Sequence, residues 1–81
     1  MVVRVLAFAR IRELLEFSEE SITLAEPTSA RELWNRLVVR FPKLAELADS
    51  TRVARNGKIA AFDNDLRDGD EVALLPPVGG G

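Results

Sequence analysis

The chain has 81 residues and a mass of 9.0 kDa, enough for one small domain built on one core. It contains no Cys, His or Tyr, which excludes a disulfide framework, a thiolate or imidazole metal site, a thiol nucleophile and a Ser–His dyad. Eleven basic against thirteen acidic residues give a net charge of −2, so the basic excess of a general nucleic-acid binder is absent and no nucleic-acid partner is expected.

Residues 2–9 are apolar or β-branched at nearly every position, which predicts a strand buried on much of both faces. The start has no charged leader, long apolar stretch or small-residue cleavage site, and no apolar run nears the ~18 residues of a membrane span. Cytoplasmic residence without a membrane partner is therefore expected. In residues 10–17, Ile11, Leu14 and Leu15 stand at i, i+3 and i+4, the pattern of a short amphipathic helix. Residues 21–24 alternate polar and apolar as a half-buried strand does.

Glu26-Pro27-Thr28-Ser29 breaks the pattern, and Ser29 with Glu32 matches a capping box, with Thr28 as the competing N-cap. Ala30, Leu33, Trp34, Leu37, Val38 and Phe41 then form the stripe of a helix lying on a core. At that spacing Trp34 reads as core rather than as a ligand-stacking platform. Pro42 disfavours helical geometry at Phe41 and ends the helix there. Residues 44–48 fit one further turn.

Residues 51–55 and 58–62 read as two strands joined by Asn56-Gly57, a favoured hairpin turn because both residues accept positive φ. Residues 63–71 carry Asp63, Asp65, Asp68, Asp70 and Glu71 against Arg67, five acids to one base and a local −4. This run is either a solvated turn or a docking patch for a basic partner. Asp68-Gly69-Asp70 is a second tight turn, feeding an apolar strand over 71–75. Pro76-Pro77 stops that strand, since proline cannot donate to a ladder.

Placing the apolar first and last strands side by side at the sheet centre, with the long helix across one face, gives an α+β fold. It is a β-grasp (ubiquitin-like) mixed sheet with one main helix. The domain is expected over 1–75, with 76–81 a flexible tail ending in Gly-Gly.

Side-chain chemistry is nearly absent: Ser18, Ser21, Ser29 and Ser50 have no base to activate them. What remains is the tail. Pro-Pro holds an extended exit, and glycines without side chains can thread a narrow channel. The main-chain carboxylate of Gly81 is then the most reachable reactive group. An ATP-dependent partner could convert it to an acyl-adenylate, which a sulfur donor would turn into a thiocarboxylate and an amine into a protein conjugate.

Four stretches are familiar: Val5-Leu6-Ala7-Phe8-Ala9-Arg10-Ile11-Arg12-Glu13-Leu14; Asn56-Gly57; the run from Phe62-Asp63 through Asp68-Gly69-Asp70-Glu71-Val72 to Pro76-Pro77-Val78; and the closing Gly80-Gly81. With them the chain resembles the MoaD/ThiS family of ubiquitin-like sulfur carriers over essentially its whole length. The resemblance implies that an E1-like adenylyltransferase adenylates Gly81 with ATP and that a sulfur donor protein converts it to a thiocarboxylate. The sulfur would then pass to cyclic pyranopterin monophosphate to form the dithiolene of molybdopterin. The chain itself would be non-catalytic, with no tightly bound cofactor or metal, the ATP belonging to the activating partner. The implied assembly is a heterotetramer with the large subunit of molybdopterin synthase, one small subunit at each end.

Residue by residue, the resemblance makes Gly81 the reactive position and gives Gly79 and Gly80 the passage of the tail. Phe8, Ile59, Leu75, Pro76, Pro77 and Val78 become partner-binding. Alternation agrees with an open face: Glu71, Ala73 and Leu75 share one side of the last strand, and Phe8 shares a side with Arg4 and Leu6. Arg55 stands where the family more often has an aliphatic residue and is expected at the patch rim; Leu75 replaces a frequent aromatic. A carrier serving thiamine or tRNA thiolation, and a ubiquitin-like modifier or interaction module, are the alternatives.

Overall fold

The computed structural model describes residues 1–77, so the expectations placed on Val78, Gly79, Gly80 and Gly81 lie outside the described residues. Eight elements succeed one another: strand β1 (Val2–Ala7), helix α1 (Ala9–Leu15), strand β2 (Glu19–Thr23), helix α2 (Ala30–Arg40), a 3₁₀ helix (Pro42–Leu47), and strands β3 (Arg52–Arg55), β4 (Lys58–Ala60) and β5 (Glu71–Leu75). The five strands form one sheet in the order β2-β1-β5-β3-β4. β1 and β5 run parallel, while the other pairs are antiparallel. This is the mixed β-grasp sheet expected from the sequence, with the first and last strands paired at its middle.

One expectation about β1 needs correction. The strand is buried on one face only: Val3, Val5 and Ala7 are at most 2% exposed, while Val2 is 45% exposed and Leu6 half-buried. It also ends at Ala7, and Phe8 becomes the extended N-cap residue of α1 (φ −131°, ψ 154°). The reason is that helices cover a single side of the sheet. Ala30, Leu33, Trp34 and Leu37 of α2, Ile11 and Leu15 of α1 and Leu44 of the 3₁₀ helix meet Val3, Val5, Val53, Val72 and Leu74 in one core. The apolar surplus on β1 therefore faces outward.

Helix α2 starts where the polar signals placed it. The Ser29 hydroxyl accepts the Glu32 N–H at 3.3 Å, but the returning arm of the box goes elsewhere: the Thr28 hydroxyl donates to the Glu32 carboxylate at 2.7 Å. Two more orphan donors of the first turn are met by the loop after β4, Ala30 N–H to the Asn64 carbonyl and Arg31 N–H to that of Phe62. Phe41 caps the far end and Pro42 opens the 3₁₀ helix. Trp34 is core, as its spacing predicts, with Phe62 edge-on at 5.9 Å between ring centroids. That contact takes Phe62 out of the sheet, so β4 ends at Ala60 rather than at 62.

Candidate docking face

The outer side of the sheet is read from its register. Leu6 pairs with Ala73, Ala73 with Ala54, and Ala54 with Ile59. Since each of these residues alternates with a core-facing one, the four make an apolar row across β1, β5, β3 and β4. Ile59 is 58% exposed at one end. The next row belongs to the tail root. Ala7 pairs with Leu74, which puts Phe8, 43% exposed, beside the half-buried Leu75. Pro76 is half-buried and Pro77 exposed directly after it.

The structure thus brings Phe8, Ile59, Leu75, Pro76 and Pro77 to one open face and its tail-side edge. An apolar sheet face left open beside a strand terminus can dock a protein and aim the chain leaving that strand. Leu6 and Ala73 were reachable from strand alternation. Ala54 was not, because its place in the row depends on the register between β3 and β5.

Most of the acidic run has a structural use within the chain. Asp63 pairs with Arg31 at 2.8 Å, Asp68 accepts the Val2 N–H at 2.7 Å, and Glu71 pairs with Arg4. Asp70 is the anchor, buried at 6% exposure. It accepts Arg55 Nε at 2.6 Å, the Arg67 N–H at 2.8 Å and Asn56 Nδ2 at 2.9 Å. Burial by itself would raise its pKa, but the hydrogen bonds from Arg55, Asn56 and Arg67 outweigh it and hold the carboxyl below the usual range. Asn56 also exchanges hydrogen bonds with the Glu71 main chain at 2.8 and 2.9 Å, so the hairpin turn is tied to the start of β5. Asn56 (φ 50°) and Gly57 (φ 86°) take the left-handed geometry that the dipeptide announces.

Arg55 is accordingly not at the rim of the docking face. It lies opposite Val72, on the core side of β3, and its guanidinium turns to Asp70. Two surface clefts lie elsewhere: one of about 410 Å³ runs between the 26–28 and 65–68 loops, and one of about 280 Å³ lies among Leu14, Glu16, Phe41 and Lys43. Among the described residues no group of three or more acidic, His or Cys side chains is placed to hold a metal ion. Nor is any described helix long and apolar enough to cross a membrane.

Comparison with known proteins gives this arrangement a context. A model of the ThiS family matches residues 5–81. The molybdopterin synthase sulfur carrier subunit of Mycobacterium tuberculosis is 35% identical over 80 residues, spanning 98% of this chain and 96% of that protein. The crystal structure of SAMP1, the small archaeal modifier protein 1 of Haloferax volcanii, superimposes with a TM-score of 0.86 at 27% identity, covering 100% of both chains. A chain of the protein–protein complex of subunits 1 and 2 of the molybdopterin-converting factor from Helicobacter pylori matches at a TM-score of 0.69 and 27% identity, again over 100% of both.

Proposed function

Because the chain belongs to the ThiS family of sulfur carriers, we propose that it is the sulfur-carrying small subunit of a molybdopterin synthase. The observation that carries this choice is the nearly full-length match, at 35% identity, to a curated carrier subunit of that enzyme. In this reading the chain acts as carrier and substrate rather than as catalyst. The Gly81 carboxylate attacks the α-phosphorus of ATP bound by an E1-like adenylyltransferase, and pyrophosphate leaves. Sulfide-level sulfur from a donor protein then attacks the acyl carbon and displaces AMP, leaving a thiocarboxylate, a soft nucleophile; a persulfide donor gives an acyl disulfide that a thiol reduces to the same product. Gly79 and Gly80 let the tail pass, and Pro76, Pro77 and Val78 set its exit.

The thiocarboxylate next enters the large synthase subunit, which supplies the catalytic side chains, and its sulfur goes to cyclic pyranopterin monophosphate. Phe8, Ile59 and Leu75 are the docking contacts. Support for that use comes from the open apolar row beside the tail root and from the likeness to a chain of the Helicobacter pylori subunit complex. Two sulfurs per dithiolene call for two charged carriers, hence a heterotetramer.

A second reading is favoured by the likeness to SAMP1: a modifier whose activated Gly81 is joined by an amide bond to lysines of other proteins. Intact-mass measurement separates the two. After incubation with ATP, an E1-like enzyme and a sulfur donor, the carrier gains the mass of one sulfur in place of one oxygen. It then loses that gain on addition of the large subunit and cyclic pyranopterin monophosphate. Amide adducts with no thiocarboxylate favour the modifier. Deleting Gly81 abolishes the gain and leaves the melting temperature unchanged; persistence of cofactor synthesis without Gly81 sinks the carrier reading.

A further inference from the structure

The outer sheet face holds charges on two opposite flanks of the apolar row, one at the start of β5 and one at its end. On the side away from the tail, Arg4 pairs with Glu71 and, at 3.7 Å, with Glu19. That end is internally compensated, with one carboxylate to spare. On the tail side stands Arg52. It pairs in register with Leu75, and because its neighbour Val53 is buried in the core, Arg52 is on the outer face. It is exposed, and among the described residues no carboxylate lies within ion-pair distance of it.

A bare guanidinium at the edge of an apolar patch has a consequence for docking. Covering the row removes water from around Arg52, and a cation losing hydration needs a carboxylate in exchange. We propose that Arg52 is a positioning residue that pairs with an acidic side chain on the protein that receives the tail, at the mouth of its channel. The proposal rests on the carrier reading above and adds the charge of the partner's rim to it. A nucleotide phosphate is not the counter-ion. Six residues, 76–81, lie between Leu75 and the reacting end, up to ~20 Å of extended chain. Arg52 therefore faces the channel mouth while Gly81 is at its depth.

The placement also gives docking a direction. The face is acidic at the Arg4 end and basic at the Leu75 end. A partner with the opposite polarity accepts it in one orientation, with β5 aimed into the channel, and repels it when turned around.

The test measures association of the full chain with the large subunit of a molybdopterin synthase at low salt and at 0.5 M salt. Arg52→Glu is expected to slow association and to weaken binding about tenfold at low salt, and about twofold or less at high salt, where exposed charges are screened. Arg52→Gln is intermediate and Arg52→Lys close to wild type. All three keep the wild-type melting temperature, since among the described residues the Arg52 side chain is exposed and makes no ion pair to lose. Reversing an acidic residue at the partner's channel mouth to Arg restores binding to the Arg52→Glu variant. Wild-type affinity of Arg52→Glu at low salt overturns the proposal and leaves the carrier reading standing. A wild-type chain that does not bind the large subunit overturns both.

Discussion

The two sides of one sheet behave differently although the same strands build them. On the inner side Val3, Val5, Val53, Val72 and Leu74 are sealed under α2, each at most 1% exposed. On the outer side Leu6, Ala73, Ala54, Ile59 and Leu75 lie at alternate positions of the same strands and have no helix above them. The presence of apolar residues does not by itself distinguish the two sides, because both carry them. The difference is in cover. Apolar area is worth burying at about 25 cal/mol per Å² whether the covering surface is the chain's own helix or another protein. A face left open for one purpose thus reads in sequence like a face closed for another.

This contrast can be broken by substitution, and the largest effect belongs on the inner side. Leu37, on the buried side of α2, has no exposure, and Leu37→Ala is expected to cost about 2–5 kcal/mol. In a domain of this size that lowers the melting temperature by about 10 °C or more. A loss below about 1 kcal/mol by urea titration would mean that the helix-covered side is no better packed than the open one.

The next effect lies at the joint between hairpin and β5. Asp70→Asn removes a charge that Arg55, Asn56 and the Arg67 N–H all address, at an expected cost of about 1–3 kcal/mol at pH 7. The direction with pH is set by the depressed pKa of Asp70. A carboxyl held below its unfolded value contributes stability above that value, near 3.9, and loses it as pH falls through the folded one. The gap between wild type and Asp70→Asn should therefore narrow below about pH 4. A gap that stays constant from pH 7 to pH 3 contradicts an ionised Asp70 as the anchor.

The smallest effect on stability is expected on the outer side. Ile59→Asp, at a 58% exposed position, should change folding free energy by no more than about 0.5 kcal/mol. The same substitution should weaken docking to the tail-accepting partner at least tenfold, as burial of an unpaired carboxylate in an apolar contact requires. Unfolding of this variant would show that the outer row is core after all.

Much of the fold is legible in the sequence because local rules agree with the tertiary outcome. Ser29 caps α2, Pro42 ends it, and Asn56-Gly57 turns the hairpin, each through backbone constraints that act within a few residues. The proposal for Gly81 draws on the same kind of local reading, the tail's composition in a chain without Cys or His. The expectations that fail share an origin. Sequence alone buries β1 on much of both sides and puts Arg55 at the patch border. Each depends on what another element, distant in sequence, does with the residue.

The amino-acid sequence by itself determined the element order, the turns and the helix caps, because those derive from φ preferences and periodicity; the proposal for Gly81 rests on the inventory of side chains. Tertiary structure alone decided which apolar residues are core and which form an open face. It also decided that Arg55 is tied to Asp70 while Arg52, on the other side of the same strand, is free among the described residues. The physical reason is register. Alternation assigns residues to two sides of a strand, but only the pairing of β3 with β5 and the docking of α2 on one side determine which side is covered and which charges find partners.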